Sequence, residues 1–222
     1  MPAFDRLRAY LEKRAAFTED EFAFMEPLFL PTELPAGEFL QRGGEVATHA
    51  VFVAAGCLRS YVIDAKGKEH IVQFAPEDWW LADNTSLMAG TPSQYFYQAV
   101  EDSSLLLIDP PSHQRIIERI PGYAASFRTG LQRHAAAKDE RIVSSLSASA
   151  DERYQEFLRT YPSIALRVPQ WMLASYLGVS PETLSRVREV RSRMSPASTP
   201  VPLFIATRII RGEVRALYGL RR

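Results

Sequence analysis

The sequence predicts an α+β chain with a small antiparallel β-structure in front, one long helix behind it and a helix-turn-helix near the end. Between residues 32 and 110, short apolar runs alternate with turn residues. Over 121–147, apolar residues recur at helical spacing instead. At 166–191, a helix, a glycine turn and a second, capped helix follow one another.

Residues 3–16 read as a first helix, with Phe4, Leu7, Tyr10 and Leu11 on one face. Thr18 followed by Glu21 is a capping-box pattern, which starts a second helix over about 19–29. Strands are expected at Ala50–Ala54, Leu58–Ile63, His70–Phe74, Tyr95–Val100 and Leu105–Ile108. Asp64-Ala65-Lys66-Gly67-Lys68 reads as a hairpin turn between two of them. Strands at this spacing make a small barrel, roll or sandwich. From Pro111 the pattern is helical: Ile120, Ala124, Phe127, Leu131, Ala135, Ile142 and Leu146 share one stripe. Its best run, 121–147, is about 40 Å long at helical rise. A helix of that length in a small protein spans between parts or pairs with a copy of itself. His134 and Lys138 interrupt the seam. Ser149 to Glu152 then start a further helix, with Tyr154, Phe157, Leu158 and Tyr161 on its apolar face, and Pro162 ends it.

The segment 166–191, LRVPQWMLASYLGVSPETLSRVREVR, carries the most information. Pro169 suits a helix start, and Leu173, Ala174 and Leu177 fall at core spacing. Gly178 supplies the left-handed backbone that ends the helix and turns the chain. Ser180 can cap the next helix, with Pro181 in its first position. Leu184 and Val187 face back to the first helix. Thr183, Ser185, Arg186, Arg188 and Arg191 are then left for bases and phosphates, which predicts a DNA-reading unit. The charge distribution agrees. The formal net charge is zero, but residues 1–137 hold 12 Lys and Arg against 18 Asp and Glu, whereas 138–222 hold 14 against 8. An acidic front joined to an arginine-rich back is expected of a sensor attached to a phosphate-binding module.

Other classes find little support. With 46% hydrophobic and 23% charged residues, the composition is that of a soluble globular protein. No apolar run is long enough to span a membrane, and the N-terminus does not read as a signal peptide, so a cytoplasmic protein is expected. Cys57 is alone, which excludes an internal disulfide and a multi-cysteine metal site. His49, His70, His113 and His134 have no partner at ligand spacing. There is no Gly-rich phosphate loop, zinc spacing or nucleophile elbow. Asp64, Glu69, Glu77, Asp78 and Asp83 lie on or near turns and read as solvated carboxylates. No catalytic residue, metal or cofactor is therefore expected.

The ordered set of segments resembles the Crp/Fnr family of regulators. SLSASADERYQEFLRTYPSIALRVPQWMLASYLGVSPETLSRVR is similar to its DNA-binding end, in the style of Bacteroidetes-type members. GCLRSYVIDAKGKEHIVQFAPEDWWLADNTSL and TPSQYFYQAVEDSSLLLID are similar to its sensor. The resemblance covers about 35–191. It implies a cyclic-nucleotide-binding-like β-roll over 1–118, a dimerisation helix over 119–147 and a winged helix-turn-helix over 148–194. It further implies a homodimer on a two-fold DNA operator, with RNA polymerase as a further partner. Residues 195–222 read as a Pro-rich linker and tail of uncertain role.

Relatives that bind cyclic AMP hold the ribose with a Gly-Glu pair and the phosphate with Arg-Ser or Arg-Thr. Those positions align with Leu81 and Ala82 and with Ser93 and Gln94 here. Without the guanidinium, a buried phosphate would be poorly compensated, so cyclic AMP is not expected to bind. Trp79, Trp80, Tyr95, Phe96 and Tyr97 cluster nearby. The preferred reading is that their rings fill the pocket; the other is that they line it for an unknown small-molecule effector. Where cyclic-AMP-type relatives read DNA with Arg, Glu and Arg, this chain has Pro181, Glu182 and Arg186, so its operator should differ. The candidate DNA contacts are Ser180, Glu182, Thr183, Ser185, Arg186, Arg188 and Arg191. The alternative function is a sensor that regulates a protein partner without binding DNA.

Overall fold

A computed structural model describes residues 2–194, without the side chains of 133, 134 and 192–194; the tail read at 195–222 lies outside the described residues. The chain divides into two compact units between Ser185 and Arg186.

The front of the chain is helical. Helix α1, Ala3–Glu12, buries Phe4, Leu7 and Leu11. Helix α2, Glu19–Met25, starts at the expected capping box, in which Thr18 and Glu21 satisfy each other's backbone N–H groups. It passes into a 3₁₀ turn at Glu26–Leu28 and so ends earlier than its periodicity suggests.

Eight strands follow: β1 Leu30–Leu34, β2 Phe39–Gln41, β3 Ala50–Ala55, β4 Leu58–Ile63, β5 Glu69–Ala75, β6 Trp80–Leu81, β7 Phe96–Ala99 and β8 Ser103–Ile108. They pair antiparallel in two four-stranded sheets, ordered β1-β8-β3-β6 and β2-β7-β4-β5. This is the antiparallel β-roll. Strand β3 shows why it is stable. Successive side chains on a strand point to opposite faces, so Val51 and Val53 enter a core shared with Leu58, Leu81, Tyr97 and Leu105. Phe52 and Ala54 enter the other core, with Leu7, Met25, Leu106, Ile116 and Ile120. Both faces are covered, which is why β3 reads as an unbroken apolar run. Between β6 and β7 lies α3, Asn84–Ala89, capped by Asp83 and ended by Gly90 in the left-handed region.

After the roll come α4, Pro110–Arg119, and α5, Pro121–Ser147, a helix of 27 residues over the predicted bounds. His113 of α4 packs between the rings of Tyr123 at 5.6 Å and Phe127 at 4.5 Å. Burial pushes its pKa below the ordinary imidazole value of 6.5. The fold therefore favours neutral His113, while the unfolded chain takes up a proton below that value. Stability is full above about pH 6.5 and is lost as pH falls. Wild type should lose stability between about pH 6.5 and 5.5 that His113→Phe keeps. Urea midpoints at the two pH values check this; parallel losses in both proteins would refute it.

Helix α6, Ala150–Thr160, opens on a second capping box, Ser149 with Glu152, and α7, Gln170–Leu177, and α8, Pro181–Met194, complete the described chain. Segment 148–194 is helical, so the strands of a wing are not among the described residues. Rings of α6 and α7 pack on β5: Phe74 lies 6.1 Å from Phe157 and 5.5 Å from Tyr176. Cys57 is fully buried, and burial pushes its thiol up to about 12.

The turn carboxylates are not simply solvated, because each has local donors or an arginine within reach. Asp64 accepts from the Lys66 and Lys68 N–H groups at 2.8 and 3.0 Å and pairs with His70. Glu69 accepts from buried Arg59 at 2.5 Å. Arg6 forks onto Asp78 at 2.6 and 3.0 Å. Asp83 is buried.

Candidate functional site

The α7–α8 pair is built by backbone constraints encoded locally. Gly178 has φ 67° and ψ 33°, and its N–H returns to the Ala174 and Ser175 carbonyls. The Val179 N–H donates to the Ala174 carbonyl at 3.0 Å, which closes the helix end. The Ser180 hydroxyl then accepts from the Thr183 N–H at 3.2 Å and caps α8. Leu173, Ala174, Leu177 and Leu184 are buried. Residues two apart on a helix lie about 200° from each other, so Glu182 and Arg186 fall opposite buried Leu184. Both are exposed, as is Ser180, while Thr183, Ser185, Arg188 and Arg191 are half-buried.

A second site lies in the roll. A cavity of about 420 Å³ is lined by Leu81, Ala82, Gln94, Tyr95 and Tyr97, which the sequence placed at or near it, and by Gln73, Asp83 and Lys138, which sequence reasoning did not assign to it. The expected filling by aromatic rings does not occur, because three of the five rings pack elsewhere. Trp80 faces the helical core, 5.2 Å from Phe52. Trp79 packs on Tyr161 at 5.1 Å. Phe96 stacks on Tyr61 at 5.0 Å. Only Tyr95 and Tyr97 of the five line the cavity.

The cavity wall is braced by a buried network. Asp83 accepts from the Ser86 N–H at 3.1 Å and from the Ser93 hydroxyl at 2.7 Å. Ser93 is thereby turned to the wall as a strut. The Ser86 hydroxyl accepts from the Ala47 N–H at 2.8 Å. Among the described residues the lining has no arginine and one lysine, Lys138, which comes from α5. Asp83 could have been found from the sequence as a helix cap seven residues before Gly90. Lys138 could not, because its distance along the chain from the roll gives no signal. Among the described residues, no group of three or more His, Cys, Asp or Glu could hold a metal. No helix among them is long and apolar enough to cross a membrane.

A third feature joins the roll to the start of the helix pair. Arg167, three residues before α7, donates to both oxygens of Glu77 at 3.0 and 2.9 Å, and to both oxygens of Glu101, one of them at 3.3 Å. Burial alone would raise the Glu77 carboxyl, but Arg167 and backbone donors outweigh it and hold it below its ordinary range. The Ser175 hydroxyl accepts from the Ile71 N–H at 3.0 Å and donates to the Glu69 carbonyl at 3.1 Å. Arg141 donates to the Val72, Ile71 and Tyr176 carbonyls, the last at 2.9 Å. Edge strand β5 thus has its open backbone groups met by side chains of α5 and α7.

Residues 31–120 match the cyclic nucleotide-binding domain family. No curated protein matches the chain by sequence. The catabolite activator protein of Thermus thermophilus is similar in structure, with TM-score 0.51 and 20% identity over 84% of this chain and 89% of that one. The c-di-GMP-responsive global regulator CLP of Xanthomonas campestris superimposes with TM-score 0.65 and 12% identity, over 82% and 96%. FixK2 of Bradyrhizobium japonicum does so with TM-score 0.60 and 19% identity, over 78% and 89%.

Proposed function

We propose that the chain is a cytoplasmic transcription regulator of the Crp/Fnr type, in the Bacteroidetes-type style, that binds a two-fold DNA operator as a homodimer and does not answer to cyclic AMP. The observation that carries this reading is the α7–α8 unit. A glycine-closed helix and a serine-capped second helix bury one face and leave Glu182 and Arg186 opposite it. Ser180, Glu182, Thr183, Ser185, Arg186, Arg188 and Arg191 are the contacts of this reading. Glu182 suits a cytosine amine and Arg186 a guanine or a phosphate.

The stripe on α5 supports the dimer. Phe127, Leu131, Ile142 and Leu146 are exposed, Leu146 by 83%. A self-complementary helix stripe is best covered by a second copy related by a two-fold axis. Such a dimer would set two recognition helices against half-sites about 34 Å apart, and act on transcription through RNA polymerase contact or by occlusion.

The cavity supports an effector other than cyclic AMP. A cyclic phosphate entering it would find Gln94 and the Asp83 wall in place of an arginine, and its charge would be left poorly compensated. Calorimetric titration with cyclic AMP is expected to give no heat beyond dilution; saturable binding in the roll would overturn this part of the reading.

The test of the whole is fluorescence anisotropy on DNA from upstream of its own gene, against a scrambled duplex, over a salt series. Selective binding with a steep salt slope is expected. Binding no tighter than to the scrambled duplex, with and without candidate effectors, would overturn it in favour of a sensor that acts on a protein partner.

A further inference from the structure

Arg167 lies just before α7, the first helix of the pair read as a helix-turn-helix. That helix crosses the phosphate backbone while the second reads the groove, and Arg167 precedes its first residue, Gln170, by three positions. Yet this guanidinium is fully engaged by Glu77, in the turn between β5 and β6, and Glu101, in the turn between β7 and β8. A guanidinium forks onto a carboxylate and onto a phosphate with the same planar geometry. All three side chains keep a quarter to a third of their surface in solvent. An ion pair so placed is reversible, because water can replace either partner.

We propose that Arg167 is a phosphate-contacting residue of the helix-turn-helix and that Glu77 and Glu101 hold it in reserve, so that the roll and the DNA backbone compete for one guanidinium. The proposal rests on the reading of α7 and α8 as a DNA-binding unit. It goes beyond that reading by making the sensor itself an intramolecular competitor of DNA. The two glutamates act as stand-ins for a phosphate. While they hold Arg167, the Ser175 bonds to Glu69 and Ile71 keep α7 seated on β5. Strand β5 also lines the cavity with Val72 and Gln73. A ligand that shifts β5 would therefore loosen the seat and release the arginine.

A merely structural clasp and a competition for phosphate differ in sign. If the ion pairs only brace the fold, removing either partner acts alike. If they withhold a phosphate contact, removing the glutamates tightens DNA binding and removing the arginine does not. The probe is a random-sequence duplex, which reports phosphate contacts without needing the operator. One more phosphate contact adds about 0.9 to the slope of log K against log salt, or about eightfold in affinity at 0.1 M salt. Glu77→Gln with Glu101→Gln is expected to gain both, and each single variant part of them. Arg167→Gln, and the triple variant lacking all three charges, should gain neither. The Glu101→Gln single variant leaves the Glu77 fork in place and serves if the double variant folds poorly.

Hydrogen exchange at the Ile71 amide reads release without reference to DNA. Faster exchange in the double variant with tighter duplex binding supports the proposal. Affinity moving the same way in the glutamate and arginine variants overturns it, as does unchanged affinity in the double variant. Faster exchange with no duplex binding by any variant overturns instead the DNA-binding reading on which it rests.

Discussion

Phe157→Ala is expected to cost about 3–5 kcal/mol in urea denaturation. Phe157 is 2% exposed on α6. Its ring lies 6.1 Å from Phe74, 5.2 Å from Tyr161 and 5.3 Å from Tyr176. Three elements, β5, α6 and α7, therefore lean on one side chain. Truncation removes the transfer energy of the ring and leaves a cavity whose walls are held apart by their own backbones. Phe157→Leu keeps most of the volume and should lose far less. A loss under 1 kcal/mol for the alanine variant would mean that α6 and α7 do not depend on this packing. The thermal midpoint of the alanine variant should fall in step.

The second large effect concerns function. Changing Arg186, Arg188 and Arg191 to alanine is expected to weaken duplex binding about a hundredfold at 0.15 M salt and to lower the salt slope by about 2.7, because each phosphate contact contributes about 0.9. All three belong to α8, where Arg186 is exposed and Arg188 and Arg191 are half-buried. If only one of the three reads a base, the single variants will split: that one will change the sequence preference, and the others will weaken all duplexes alike. Affinity that survives the triple change would remove α8 from the interface and leave the protein-partner reading in its place.

The parts legible in the sequence were those written in local rules. The capping box at Thr18, the helix start at Ser149, the hairpin at 64–68 and the glycine at 178 each fix a boundary within a few residues, because each satisfies or bends a named backbone group. Helix α5 was legible because 27 residues repeat one spacing. Strand β1 was missed because Pro31 breaks the strand signature, which an edge strand tolerates. Strands β2 and β6, of three and two residues, are too short to alternate visibly. Long-range pairing was the other blind spot. The sequence places Glu77 and Glu101 on turns, but nothing local says that Arg167 will fork between them. The cavity failed for a related reason. A run of aromatics reads as one cluster along the chain, while alternation on a strand sends its members to different cores. Trp80 and Phe96 left the pocket by that route, Trp79 left it from the turn before β6, and Leu81, Ala82, Gln94 and Tyr95 stayed with it.

The single thiol of the chain offers a chemical clock. Cys57 is sealed in the roll with its Sγ 3.6 Å from the Leu58 carbonyl, and burial keeps it protonated at neutral pH. A maleimide or disulfide reagent finds no thiolate while the roll is closed, so labelling proceeds only through molecules that have opened. The labelling rate then counts opening events directly, one site per chain, without any engineered probe. It would register a loosening of the sheet and ignore events confined to the helices behind it, and the two can be timed apart in one sample by following alkylation and ring fluorescence together.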